Sequence, residues 1–213
     1  MRGGQELIRP MVKNSRLFAY IILAYLLWLM IFRLEVGSFW ARLGLSVAVL
    51  FVVSLNERRC FININKWSFK AWLLLIGAVV GLAFYLLLYA GFLLFRALVE
   101  DSAKQVYALS IQAPSSTIAL LLLFTSVGEE VYWRGLIQSE FSLRFGTLKA
   151  LLFTAVLYAM AHVWTLNLPL ILIALLAGLI WGTLYIKFKS LQPAILSHIV
   201  WTEMVFVFFP LLE

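Results

Sequence analysis

The sequence predicts an all-α, polytopic integral membrane protein of about seven transmembrane helices. Three observations carry that prediction. Of the 213 residues, 64% are hydrophobic and only 13% charged, with a mean hydropathy of +0.99; a soluble domain averages about 45–50% apolar and about 25% charged. Apolar runs long enough to cross roughly 30 Å of hydrocarbon recur along the whole chain. The basic residues, finally, fall mainly between those runs.

Taken in order, the first run spans 17–34 and follows Arg2, Arg9, Lys13 and Arg16. It resembles a secretory signal, but no small-residue cleavage site closes it before Trp28, Phe32 and Arg33, so a retained span is expected. The second (39–55) and third (71–95) are plain apolar runs. The fourth, 115–139, is interrupted by charge. The fifth covers 148–165, and Pro169 and Pro193 open the sixth (168–186) and seventh (191–211), as proline does in a first helical turn. Gly128, Gly135 and the pair Gly178-x-x-x-Gly182 read as close helix contacts. The eight Trp and eight Tyr suit interfacial belts and packing, with Trp133 and Trp164 placed to border a substrate groove. No repeat appears, and no stretch between spans is long enough for a soluble domain. One membrane domain is expected, with spans 1–3 in 1–114 and a catalytic helical core of spans 4–7 in 115–213.

Loop charge sets the orientation. With the N-terminus in the cytoplasm, 13 of the 17 Lys and Arg face the cytoplasm, counting Arg134 among them, and four (Arg33, Arg42, Arg96, Lys104) face outward. An N-inside, C-outside chain is therefore expected. The net charge of +7 is scattered rather than gathered on one patch, which argues against nucleic acid as a partner. Cys60 is the only cysteine, so neither an internal disulfide nor a Cys-based metal site can form.

The fourth span carries Glu129-Glu130-Val-Tyr-Trp-Arg134. A charge at the bilayer centre costs about 2.5–3.5 kcal/mol on insertion scales, so such a cluster marks a functional site. Glu130 and Arg134 share a helix face and can pair. Glu129 is turned about 100° away, without a local cation, and is free to act as a general base. The only histidines, His162 and His198, both fall inside apolar spans. A grouping of Glu129, His162 and His198 could activate water and stabilise an oxyanion, or could ligate a metal. Glu203 reads either as a further intramembrane carboxylate or as an interfacial residue.

Glu129-Glu130-x-x-x-Arg134, Tyr158-x-x-x-His162 and Lys189-Ser-Leu-x-Pro193-Ala-Ile-Leu-x-His198 resemble, in order and spacing, the three motifs of the CPBP family. These are the CAAX proteases and bacteriocin-processing intramembrane proteases, also called the Abi family. The resemblance covers about 125–202. It implies an intramembrane endopeptidase in which Glu129 activates the attacking water and His162 shares it. It further implies that Glu130 and Arg134 form the pair that fixes the helix, and that His198 holds the oxyanion. The family is drawn both as glutamate-type and as metal-dependent. A metal-free site is the favoured expectation, with a zinc-type site on Glu129, His162 and His198 left open. Two positions depart from the pattern. Tyr158 stands where the family usually has Phe, and Thr202 stands on the His198 face where it often has Asn.

The resulting expectation is an intramembrane peptidase in a prokaryotic plasma membrane, since the short chain shows no appended domain. Its partners are the lipid bilayer and a membrane-embedded protein or peptide substrate. A precursor, a leader, a bacteriocin-type peptide or a C-terminal sorting tail is expected rather than a CAAX terminus. The alternative is a non-catalytic immunity or regulatory protein of the same fold. A proton-coupled transporter is the weaker rival, because no inverted repeat or paired broken helices are found.

Overall fold

The computed structural model describes residues 11–57 and 70–212. Arg2, Arg9, Arg58, Arg59, Cys60 and Lys66, which entered the charge and cysteine readings, lie outside the described residues. The described residues form helices and no strand.

The helices follow the apolar runs closely. They are α1 (Asn14–Arg33), α2 (Phe39–Asn56), α3 (Ala71–Tyr107), α4 (Ser115–Glu130), α5 (Ser139–Phe145), α6 (Thr147–Ala161), α7 (Leu168–Phe188) and α8 (Gln192–Glu203). A π-helical segment, Val131–Gln138, joins α4 to α5 without a break. A 3-10 turn, His162–Thr165, ends α6, and a π turn, Met204–Phe208, ends α8. Among the described residues the chain thus forms seven continuous helical rods. Five helices are long and apolar enough to cross a membrane, and the protein is an integral membrane protein. The rod that carries the glutamates and the shorter apolar helix Gln192–Phe208 fall outside those five.

Two boundaries differ from the sequence reading. The third rod runs on to Tyr107, bending at Phe95 (φ −111°, ψ 19°) where the apolar run gives way to charge. Glu100 sustains the extension by pairing at 3.0 Å with both Arg96 and Lys104, each one turn away. The fourth rod continues to Phe145 and stops at Gly146, whose φ of +81° turns the chain into α6.

Close backbone approach positions the C-terminal helices. A Cβ on Gly77 would lie 2.7 Å from the Pro193 carbonyl oxygen, and one on Gly81 would lie 2.6 Å from that of Ser197. These two glycines therefore let α3 lie directly on α8. Gly178 plays the same part between α7 and the Ala155 backbone of α6. Large aromatics fill the centre: Trp28, Trp40, Trp133 and Trp181 are all fully buried. The tryptophans thus serve packing more than an interfacial belt, although Trp72 is half-exposed.

Candidate active site

The π segment sets the site. Each of its eight residues is buried, an outcome that a straight α-helix with one apolar stripe would not give. π-helical turns cluster at functional sites, and here the segment turns Arg134 inward and buries it completely. Arg134 therefore belongs to the bundle interior and drops out of the cytoplasmic loop charges.

Glu130 is fully buried, and its Oε1 accepts from Arg134 Nη1 at 2.8 Å and from His198 Nδ1 at 3.0 Å. The guanidinium also reaches the Gly178 carbonyl at 3.4 Å. It lies 5.0 Å from the ring centroid of Tyr158 and 5.4 Å from that of Trp181. A desolvated cation between two aromatic faces gains up to about 2 kcal/mol from each suitably placed ring. His198 is clamped from a second side, because Trp181 stacks on it at 3.7 Å and 16°. Trp181 in turn donates Nε1–H to Ser197 Oγ at 3.2 Å. Glu130 thus fixes two partners, a histidine as well as an arginine.

Glu129 meets a different environment. Its Oε2 accepts the Tyr158 hydroxyl at 2.9 Å. Its Oε1 makes no hydrogen bond among the described residues. No cation is bonded to it among the described residues.

His162 caps α6 and is partly buried. Its Nδ1 lies 2.9 Å from the Tyr158 carbonyl oxygen. A carbonyl only accepts, so Nδ1 carries the proton and Nε2 presents its lone pair. Trp28 of α1 donates Nε1–H toward that Nε2 at 3.5 Å. No direct hydrogen bond joins His162 to Glu129 among the described residues; Tyr158 links them, by its hydroxyl and its carbonyl.

Thr202 is drawn elsewhere. Its hydroxyl bonds the carbonyls of His198 (3.0 Å) and Ile199 (3.1 Å) on its own helix and meets Ser126 Oγ at 3.4 Å. A side chain one carbon shorter than an amide satisfies itself locally. Glu203 lies inside the bundle at 7% exposure, with neither oxygen hydrogen-bonded. Trp133 is fully buried and meets Tyr158 edge-on at 5.4 Å, so it backs the site rather than lining a groove. Trp164, two residues past His162, has its indole N–H buried without a partner.

The sequence reading missed Trp28, Trp181 and the task of the Tyr158 hydroxyl. Only the motif position of Tyr158 offered a signal, since apolar spans rich in aromatics give no reason to prefer one tryptophan. As for a metal, no group of three or more His, Cys, Asp or Glu among the described residues is arranged to hold an ion. Glu129, His162 and His198, the set the sequence left open for a metal, are not gathered into such a group among the described residues.

An apolar cavity of about 470 Å³ lies between α3 and α7. Phe84 and Trp201, stacked at 5.0 Å, form part of its wall. Behind them Trp201 meets Trp181 edge-on at 6.0 Å, so one aromatic layer separates the cavity from His198.

Residues 111–204 match the family model described as type II CAAX prenyl endopeptidase, Rce1-like. The match takes in all three motifs and every site residue above except Trp28. No curated protein and no solved structure matches the chain.

Proposed function

We propose that this chain, whose residues 111–204 are those of the Rce1-like CAAX protease family, is an intramembrane endopeptidase in which Glu129 activates water. The family is one of proteases, and the described helices make the protein an integral membrane one. The observation that carries the finer reading is the unequal partnering of two adjacent acids. Glu130 is occupied by Arg134 and His198, whereas Glu129 is held by a single neutral donor and has Oε1 unbonded among the described residues.

Water has two protons to donate: Glu129 Oε1 can accept one, and His162 Nε2 can accept the other by exchanging its long 3.5 Å contact with Trp28 Nε1–H for the water. A water bridging the two directs its lone pair at a peptide carbonyl carbon. As the new C–O bond forms, Glu129 takes one proton, and the carbonyl oxygen gains the negative charge. His198, with Nδ1 donating to Glu130, can meet that oxyanion through Nε2–H in its imidazolium form. Glu129 then gives its proton to the amide nitrogen, the C–N bond breaks, and an acid and an amine leave. No step here is routed through a metal.

The substrate class that fits is a membrane-anchored protein or peptide, such as a precursor, a leader or a C-terminal sorting tail, in a prokaryotic plasma membrane. The test compares protein termini in membranes of cells carrying the wild type and Glu129→Gln. Termini present with the wild type and lost with the variant are the expected products. An identical set of termini would remove hydrolysis as the function and leave an immunity or regulatory role.

A further inference from the structure

We infer that Tyr158 is a positioning residue that aims the Glu129 carboxylate, a task a phenylalanine at this place could not perform. The inference rests on the assignment of Glu129 as the base.

The hydroxyl of Tyr158 donates to Glu129 Oε2 at 2.9 Å, and both side chains are buried. A carboxylate held by one oxygen presents the other in a fixed direction, and here that other oxygen is Oε1, which has no hydrogen bond among the described residues. The same residue offers its carbonyl to His162 Nδ1 at 2.9 Å, which leaves the lone pair on Nε2, where its only hydrogen-bond contact is the long 3.5 Å one with Trp28 Nε1–H among the described residues. One tyrosine thus sets both acceptors between which the water would sit.

The ring itself cannot wander. Trp133 meets it edge-on at 5.4 Å, His162 at 5.0 Å and Trp181 at 6.2 Å. The Arg134 guanidinium lies over it at 5.0 Å. Every one of these contacts uses the ring, and so does the packing a phenylalanine would provide. The hydroxyl adds only the bond to Glu129. The carbonyl bond to His162 is backbone and survives any side-chain change. Tyr158→Phe therefore separates positioning of Glu129 from packing and from the orientation of His162.

The experiment uses the full chain in lipid nanodiscs and has two readouts. In infrared spectra the carboxyl band of Glu129 is the one that vanishes in Glu129→Gln; in Tyr158→Phe it should shift in frequency while thermal unfolding stays at the wild-type temperature. In cell membranes, the products defined by the Glu129→Gln comparison should form roughly tenfold to a hundredfold more slowly, the loss expected for a hydrogen bond to a charged group. Wild-type cleavage by Glu129→Gln would sink the base assignment and leave the infrared result standing. An inactive Glu129→Gln beside a Tyr158→Phe that cleaves at the wild-type rate, leaves the band unmoved or fails to fold would overturn the positioning role alone.

Discussion

Glu129 and Glu130 are neighbours in sequence and differ by what surrounds them. Glu130 answers two cations or donors at a single oxygen, and its removal strands a fully buried guanidinium. Leaving one member of a buried pair unanswered costs about 3–5 kcal/mol. Glu130→Gln should therefore unfold in detergent at a markedly lower temperature, and Arg134→Met added to it should recover much of that stability. Cleavage should not return with it, since His198 still lacks its carboxylate. Glu129→Gln should instead melt like the wild type and yield no product. A further outcome tests the metal question. A membrane-permeant chelator should leave product formation unchanged, and inhibition reversed by added zinc would call for a metal route.

At the scale of elements, the site depends on how closely helices approach. α3 rests on α8 at Gly77 and Gly81, and Gly81 touches the backbone beside His198. A side chain at Gly81 must displace α8, and overpacking of this kind costs about 1–3 kcal/mol. Gly81→Val should lower both the melting temperature and the cleavage rate. Gly91→Val on the same helix, where a Cβ would meet nothing within 4 Å, is the matched control and should change neither. At the other end, Arg144 bonds the side chain of Glu140 and the Val12 carbonyl, while Val12 N–H donates to Glu140 at 3.2 Å. This clasp ties the start of α1 to α5. α1 carries Trp28 and the Tyr20 carbonyl that accepts from Tyr132 at 2.7 Å, so the clasp belongs to the site's support although it lies far along the chain from it.

For the whole molecule, orientation is the property that loop charge proposes. With Cys60 replaced by Ser, a cysteine at Val36, which is 78% exposed, should react with a membrane-impermeant maleimide in intact cells. One at Leu148, 68% exposed, should react only after the cells are opened. The reverse pattern would place the N-terminus outside. The candidate site draws on α1, α4, the π segment, α6, α7 and α8, and the last four of these elements come from sequence segments more than a hundred residues from Trp28. The assembly as a whole, and no single helix, holds the glutamates in place.

Much of this was legible before any coordinates. The seven apolar runs reappear as seven helical rods among the described residues, five of them long and apolar enough to cross a membrane, because backbone in lipid must satisfy its own hydrogen bonds. The pairing of Glu130 with Arg134 followed from a one-turn spacing, and the isolation of Glu129 followed from the same geometry. The helix ends were less legible: charged pairs carried α3 beyond its apolar stretch, and a lipid-length argument has no term for them. Nor could periodicity reveal the π segment, because one residue's change of register leaves no mark on composition. Which tryptophan stacks on His198, which caps His162, and where the Tyr158 hydroxyl points are contacts between distant segments. The sequence by itself determined that a chain this apolar must be a helical membrane protein whose few buried charges mark its chemistry, since burying charge without purpose is too costly. Only the tertiary structure decided how those charges divide, with Glu130 tied to Arg134 and His198 and Glu129 aimed by Tyr158, because hydrogen bonds act over about 3 Å and helix packing alone brings such groups that close.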